Sequence, residues 1–332
     1  MSVTLADIAK RAGCSVNTVS HALNNRPDIS EKTRKYIEEI AEEMGYFPNL
    51  YKSTVRSVRS RSVAVIVSDI SNPYFAIMIK EMEERLHIYG YNTVIFDTDE
   101  NAEREKSAVI NAISKKVDGI IICPTQKNLS IIRLLKKHRI PYILFGRRFN
   151  DDSSYVVCND FSGGYSAAKH LVKLNRTDIL YISAGEHISG ELSRRKGIET
   201  AFEDNKIPLA NLTVRTVSSK DGAGSVADIL KSEDGNFSAV ICFSDMIALE
   251  VMYLLGESEK SVPDDISVVG FDDIASKYRF PTMLTSVSTA KTRMAHESVD
   301  TLMGLISEKI TAPQQIILPS KLIVRQSSVP KD

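Results

Sequence analysis

Ser15, Asn17, Thr18, Ser20 and His21 crowd hydrogen-bonding side chains into one short stretch near the start of the chain. What they can touch depends on the residues around them. Small Ala9, then Gly13 four positions on, then apolar Val19 six further, is the spacing of a helix-turn-helix. Ala9 lets two helices approach, Gly13 takes the turn, and Val19 seals the second helix against the first. The polar set is left on the outer face of that second helix. A short helix carrying such groups is what the major groove of DNA accepts, so the segment predicts a DNA-reading head.

Other chemistries find no support in the residue pattern. There is no GxxxxGK[ST], no strand-linked GxGxxG and no GxSxG elbow, so no enzyme is expected. His87, His138, His170, His187 and His296 are scattered without partner spacing. Cys14, Cys123, Cys158 and Cys242 form no CxxC and read as reduced, mostly buried thiols, so neither a metal nor another cofactor is expected. The 42 basic and 42 acidic residues cancel, and no global field draws the chain to nucleic acid or membrane. Locally, Lys52, Arg56, Arg59 and Arg61 lie in a segment without an acid. No basic region followed by an apolar run opens the chain, and no window approaches the ~18 apolar residues of a membrane span. The expected location is the cytoplasm, in association with the nucleoid.

The elements that must position these groups follow from periodicity. Three amphipathic helices fit about 5–12, 16–23 and 31–44, the third capped by Ser30 and cored by Ile37, Ile40, Ala41 and Met44. Residues 49–61 read as a basic, Ser-rich linker. Strand-helix alternation follows, as expected of doubly wound α/β units. Strands are expected at 63–67, 93–96, 119–122 and 141–145, with helices at about 73–89, 102–116 and 129–138. A second series places strands at 179–182, 212–216, 239–242 and 266–269, with helices at about 162–174, 191–205, 222–232 and 245–255. At 332 residues the chain exceeds one ordinary core. Two lobes in series leave a cleft lined by the loops that follow the strands.

The landmarks Thr4-Leu-Ala-Asp-Ile-Ala, Thr18-Val-Ser20, Tyr46-Phe-Pro-Asn49, Ser71-Asn-Pro-Tyr-Phe75, Asp160 with Gly163-Gly164, Arg194-Arg-Lys-Gly197, Ser244-Asp245 and Ile266 to Asp273 occur in order along essentially the whole length. In this the chain resembles the lac repressor/galactose repressor (LacI/GalR) family of bacterial transcription regulators. The resemblance implies an all-α helix-turn-helix headpiece at 1–48, a hinge at 49–61, and a bilobal α/β effector domain at 62–332 like a periplasmic binding protein, with two doubly wound parallel sheets. Lobe one would take about 62–158 and 289–317, lobe two about 159–288 and 318–332. It further implies a homodimeric repressor on a pseudo-palindromic double-stranded operator, controlled by a small, sugar-like effector between the lobes. Dimerisation would run along the helices at about 73–89 and 291–308. The catabolite-control branch of the family instead uses a phosphoprotein coregulator, which is the alternative reading.

By the same resemblance Val16, Asn17 and His21 face base edges, while Ser15, Thr18, Asn24 and Ser30 hold phosphates. His21 stands where the family usually has Arg, so the half-site should differ from the common one. In the hinge, Val55 replaces the family's minor-groove Leu, and Lys52 its preceding Ala. Two readings stay open there: a DNA-induced helix with Val55 inserted and Lys52 and Arg56 near phosphates, or a solvated basic tether.

For the effector, Asn72, Tyr74 and Phe75 follow the first strand and reach the cleft by topology, where the aromatics either stack on a ligand or pack on the core. Arg194 matches the family's effector-binding Arg, and Asp272 and Asp160 are carboxylates expected to face the same cleft. The other reading of Arg194 and of Asp272 is a place in an interlobe salt bridge. Ser244 stands where Asn is usual and Thr289 where Gln is usual, which favours a bulkier or anionic ligand over an ordinary hexose.

Overall fold

The computed structural model describes residues 3–24, 26–44, 46, 60–217, 223–233, 236–276 and 283–329. Two compact units emerge, Met1–Ser60 and Arg61–Asp332. The hinge residues Lys52, Val55 and Arg56 lie outside the described residues.

The small unit is built from α1 (Leu5–Ala12), α2 (Val16–Leu23) and α3 (Glu31–Glu43). A capping box opens α1: Asp7 N donates to Thr4 Oγ1 and Thr4 N to Asp7 Oδ2. Gly13 ends it in the left-handed region at φ 67°, with Cys14 N closing back on the Ala9 carbonyl. Ser15 and Ser30 cap the next two helices through the Thr18 and Thr33 amides. Ile8, Ala9, Val19, Ala22, Ile37, Ile40, Ala41 and Tyr46 are buried together as its core.

The large unit alternates strands and helices: β1 (Ser62–Val67), α4 (Pro73–Ile88), β2 (Asn92–Asp97), α5 (Ala102–Ser114), β3 (Gly119–Ile122), α6 (Ser130–Lys137), β4 (Tyr142–Phe145) and β5 (Tyr155–Cys158). The second lobe follows with α7 (Asp160–Lys173), β6 (Ile179–Ser183), α8 (Ser189–Asp204), β7 (Leu212–Thr216), α9 (Ala223–Ser232), β8 (Ala239–Cys242), α10 (Asp245–Glu257), β9 (Ser267–Asp272) and β10 (Thr285–Ser288). Then α11 (Lys291–Ile306) and β11 (Gln315–Leu318) return to the first lobe, and β12 (Lys321–Ile323) to the second.

One sheet runs β11-β5-β4-β3-β1-β2, all parallel; the other runs β12-β10-β9-β8-β6-β7, parallel except for the β10–β12 pair. Apolar runs of the central strands, such as Val63–Val67, are buried throughout, as a sheet covered on both faces requires. The chain crosses between lobes three times, after β5, β10 and β11. Two of these crossings are stitched together by Asn159 N on the Leu318 carbonyl and Ser320 Oγ on the Asn159 carbonyl.

Four strands extend the expected set. β5, β10, β11 and β12 are short, and β10 reads Thr-Ser-Val-Ser, a composition that suggests a loop. It is nonetheless buried, because its hydroxyls find partners: Thr285 Oγ1 with Ser328 Oγ, and Ser286 Oγ with Asp245 Oδ1. Among the described residues no helix is long and apolar enough to cross a membrane.

Candidate functional site

On the headpiece, Val16 and Asn17 open α2 exposed to solvent, and Asn17 makes no side-chain hydrogen bond among the described residues. An amide free on both sides retains the donor and acceptor that bidentate contact with adenine needs. Ser15, Thr18, Asn24 and Ser30 are engaged locally. Ser15 Oγ and Thr18 Oγ1 lie 2.9 Å apart, Asn24 Nδ2 donates to the Ser20 carbonyl, and Ser30 Oγ and Thr33 Oγ1 lie 2.8 Å apart. Ser15 and Ser30 thereby stand at helix N-termini, where unsatisfied amides favour a phosphate. His21 is not free: its Nδ1 lies 2.6 Å from Asp28 Oδ2. Sequence reasoning had no signal for Asp28.

In the large unit both sheets reverse direction of winding at one point, between β1 and β3 and between β6 and β8. Loops leaving such a switch point diverge and open a crevice beyond the strand ends. Here the two crevices face each other across a cavity of about 610 Å³. Asn72, Tyr74 and Phe75 reach it from the loop and helix after β1, Arg194 from α8, Ser244 from the loop after β8, and Asp272 from the end of β9. Asn72 and Ser244 also cap helices, through the Tyr74 and Ile247 amides. Tyr74 and Phe75 each line the cavity while packing into the large core.

Asp160 and Thr289 do not line the cavity. The Asp160 carboxylate is taken up behind the wall, accepting from Arg194 Nε at 2.8 Å and from Cys158 Sγ. Thr289 is buried in the crossing between β10 and α11, its hydroxyl without a hydrogen-bond partner among the described residues. Arg194 lies in the second turn of α8 rather than at its start. Its guanidinium carbon lies 3.5 and 4.4 Å from the ring centroids of Phe271 and Phe243, and one terminal nitrogen donates to the Phe243 carbonyl. Its ion pair is therefore with Asp160, within lobe two, and not across the lobes.

Asp272 is the group left unmatched. It is buried, its backbone sits at φ 107°, and its carboxylate makes no hydrogen bond among the described residues. Strained backbone at a strand end is a recurrent feature of binding sites. The strain is held from behind, where Lys291 Nζ donates to the carbonyls of Asp272 and Asp273 and Arg325 pairs with Asp273 at 2.6 Å. Burial pushes the Asp272 carboxyl up to about 8, against the lowering pull of Arg194.

A second ion pair, buried on its Arg147 side and half-buried at Glu100, was not anticipated. Arg147, two residues past β4, meets Glu100 from the loop after β2 with two hydrogen bonds of 2.8 and 2.5 Å, and both line the cavity. Burial opposes the charged form of Glu100, but the Arg147 contacts prevail and hold its carboxyl below the usual range. The signal was available: Gly146-Arg147 directly follows an apolar strand. On one side the lobes touch, Ser189 N donating to Gln126 Oε1 and Arg148 N to Ser189 Oγ. No group of three or more metal-ligating side chains comes together among the described residues.

Residues 4–49 match the model of bacterial regulatory proteins of the lacI family, and residues 168–328 that of a periplasmic binding protein-like domain. Over 335 residues the chain is 32% identical to the HTH-type transcriptional regulator DegA of Bacillus subtilis (strain 168), covering 99% of each. It is 30% identical to the HTH-type transcriptional repressor PurR of Histophilus somni (strain 2336), covering 98% of each. Among solved structures, the lac repressor dimer bound to operator and the anti-inducer ONPF superposes with a TM-score of 0.80 at 24% identity, over 99% of this chain and 100% of that one.

Proposed function

The chain belongs to the LacI family of bacterial regulatory proteins, and from that premise we propose that it is a homodimeric repressor of transcription whose hold on a pseudo-palindromic operator is set by a small polar metabolite in the interlobe cavity. Two heads related by a two-fold axis read two half-sites, with Val16, Asn17 and His21 on base edges and Ser15, Thr18, Asn24 and Ser30 at phosphates. Such a regulator acts where the chromosome is.

The observation that carries the effector reading is Asp272, a buried acid at the cavity whose side chain makes no hydrogen bond among the described residues. With its carboxyl pushed up to about 8, Asp272 carries its proton at neutral pH and both donates and accepts. A ligand hydroxyl does the same and would satisfy it, while the guanidinium of Arg194 meets the ligand's acceptors. A cavity of about 610 Å³ lies within the range of small-molecule sites and favours a metabolite over a phosphoprotein coregulator, which would leave it unfilled. Ligand closure then biases lobe one, where α4 and α11 pack on each other with Arg85 clamped by two hydrogen bonds to Asp300. That helix pair is the proposed dimer face. The effector's influence on DNA cannot exceed its differential affinity for the two lobe arrangements.

The test is a thermal-shift screen of the full chain against sugars, sugar acids and nucleobases, repeated on Asp272→Ala. A metabolite that binds the native state raises Tm by mass action. The expected result is a shift in the wild type that the variant loses. Equal shifts in both proteins would place the ligand elsewhere.

A further inference from the structure

His21 lies in the last turn of α2, and Asp28 in the connection leading to α3. Their side chains meet at 2.6 Å through Nδ1 and Oδ2 while remaining 37% and 57% exposed, so the contact lies on the surface of the headpiece. Arg26 is the other charged group acting on Asp28. The hydrogen bond from His21 holds the Asp28 carboxyl below its usual range. At neutral pH Asp28 is therefore an acceptor-only carboxylate, and the proton of the shared bond sits on Nδ1.

We propose that Asp28 is a positioning residue for base readout: by accepting the Nδ1 proton it selects one tautomer of His21 and leaves Nε2 as a hydrogen-bond acceptor. The inference rests on the reading that His21 faces base edges. In the major groove the donors are the exocyclic amines of adenine and cytosine, whereas guanine and thymine present acceptors. An acceptor at Nε2 pairs with the amines and is repelled by guanine O6 and N7 and by thymine O4. Arg, with donors only, reads the opposite pattern. Asp28 thus converts a position that the family usually assigns to a donor into a reader of amine-bearing bases.

The experiment is binding-site selection from a randomised palindromic duplex library at alkaline pH, where an imidazole carries a single proton. The proteins are the full chain and its Asp28→Asn, Asp28→Glu and His21→Ala variants. The wild type is expected to show one symmetric position at which adenine or cytosine on the contacted strand exceeds guanine and thymine by roughly fivefold, the worth of one neutral hydrogen bond. Asp28→Glu keeps a carboxylate and should keep that bias. Asp28→Asn offers an amide that can donate to Nδ1 as well as accept from it. Both tautomers then form, and the bias should fall to about twofold or less with the other positions unchanged.

A wild-type preference for guanine or thymine at the His21 position would overturn the proposal. So would an Asp28→Asn selection indistinguishable from wild type, and if His21→Ala still altered the site, base reading by His21 would survive. Uniform weakening at every position in Asp28→Asn would assign Asp28 a purely structural part. An unchanged site in His21→Ala would remove the base-reading premise itself.

Discussion

Arg194 Nε lies 2.8 Å from Asp160 Oδ1, and this buried pair stands the guanidinium in the cavity wall. It exists because α7 and α8 cross at glycines. A Cβ on Gly164 would overlap the Arg194 carbonyl, one on Gly197 the Phe161 carbonyl, and one on Gly163 the Phe271 ring that stacks on Arg194. The helices touch backbone to backbone, and that proximity brings residues 34 positions apart into hydrogen-bond range.

Removing one partner should be costly. Asp160→Ala leaves a guanidinium buried without its counter-ion, and the expected loss is about 3–5 kcal/mol of unfolding free energy. Urea unfolding of the full chain measures it, and a loss of under about 1 kcal/mol would mean that Arg194 finds water or another acceptor.

The helix crossing makes a separate prediction. Gly164→Ala and Gly197→Ala force backbone against backbone and should each cost about 1–3 kcal/mol or more. Gly256→Ala, in α10 with nothing within 4 Å of the added Cβ, should be neutral or stabilise by up to about 1 kcal/mol. Thermal unfolding of the three variants side by side tests the contrast.

At the turn of the headpiece the constraint is conformational rather than steric. A Cβ on Gly13 meets nothing within 4 Å, yet φ is 67°. Gly13→Ala should cost about 1–2 kcal/mol through left-handed strain alone. Gly13→Asn should cost less, since Asn tolerates that region, and helix melting followed by circular dichroism would separate the two.

Asp272 predicts a pH dependence with a definite sign. Its carboxyl rises to about 8 in the native state and is near the ordinary ~3.9 in the unfolded chain. Between those values the native state holds a proton that the unfolded state lacks. The group's contribution is fully present below about pH 4 and is lost as pH rises through about 8. Asp272→Asn removes this titration, so the wild type should lose stability relative to the variant on going from acid to alkaline pH. A pH-independent difference in urea midpoints would contradict it.

Two classes of DNA contact should separate in binding assays. Asn17→Ala should relax discrimination at one adenine by about 1–3 kcal/mol without changing the salt slope. Ser15→Ala should weaken binding to all sequences alike, because phosphate contacts carry no sequence information.

Much was legible before any coordinates, and for a local reason. The headpiece helices are written in 3.6-residue periodicity, so α1 and α2 fall on the bounds that pattern gives, and Ser30 caps α3 as expected. The buried parallel strands announce themselves as continuous apolar runs, and strand order alone brings the loops of Asn72 and Ser244 to one crevice. What the sequence by itself determined is thus the type of the headpiece helices and of the long apolar strands, and that the loops following those strands line the cleft. It did not determine the short strands β5, β10, β11 and β12. Tertiary structure decided which side chains meet there. Only the folded chain makes Thr285–Ser288 a buried strand, since its hydroxyls need Ser328 and Asp245 from distant segments. It alone assigns Asp160 to hold Arg194, turns Thr289 away from the cavity, joins Arg147 to Glu100 and leaves the Asp272 side chain without a hydrogen bond among the described residues. Backbone periodicity is a property of neighbours in the chain. Partner choice between buried charges depends on distances that exist only once the helices have crossed.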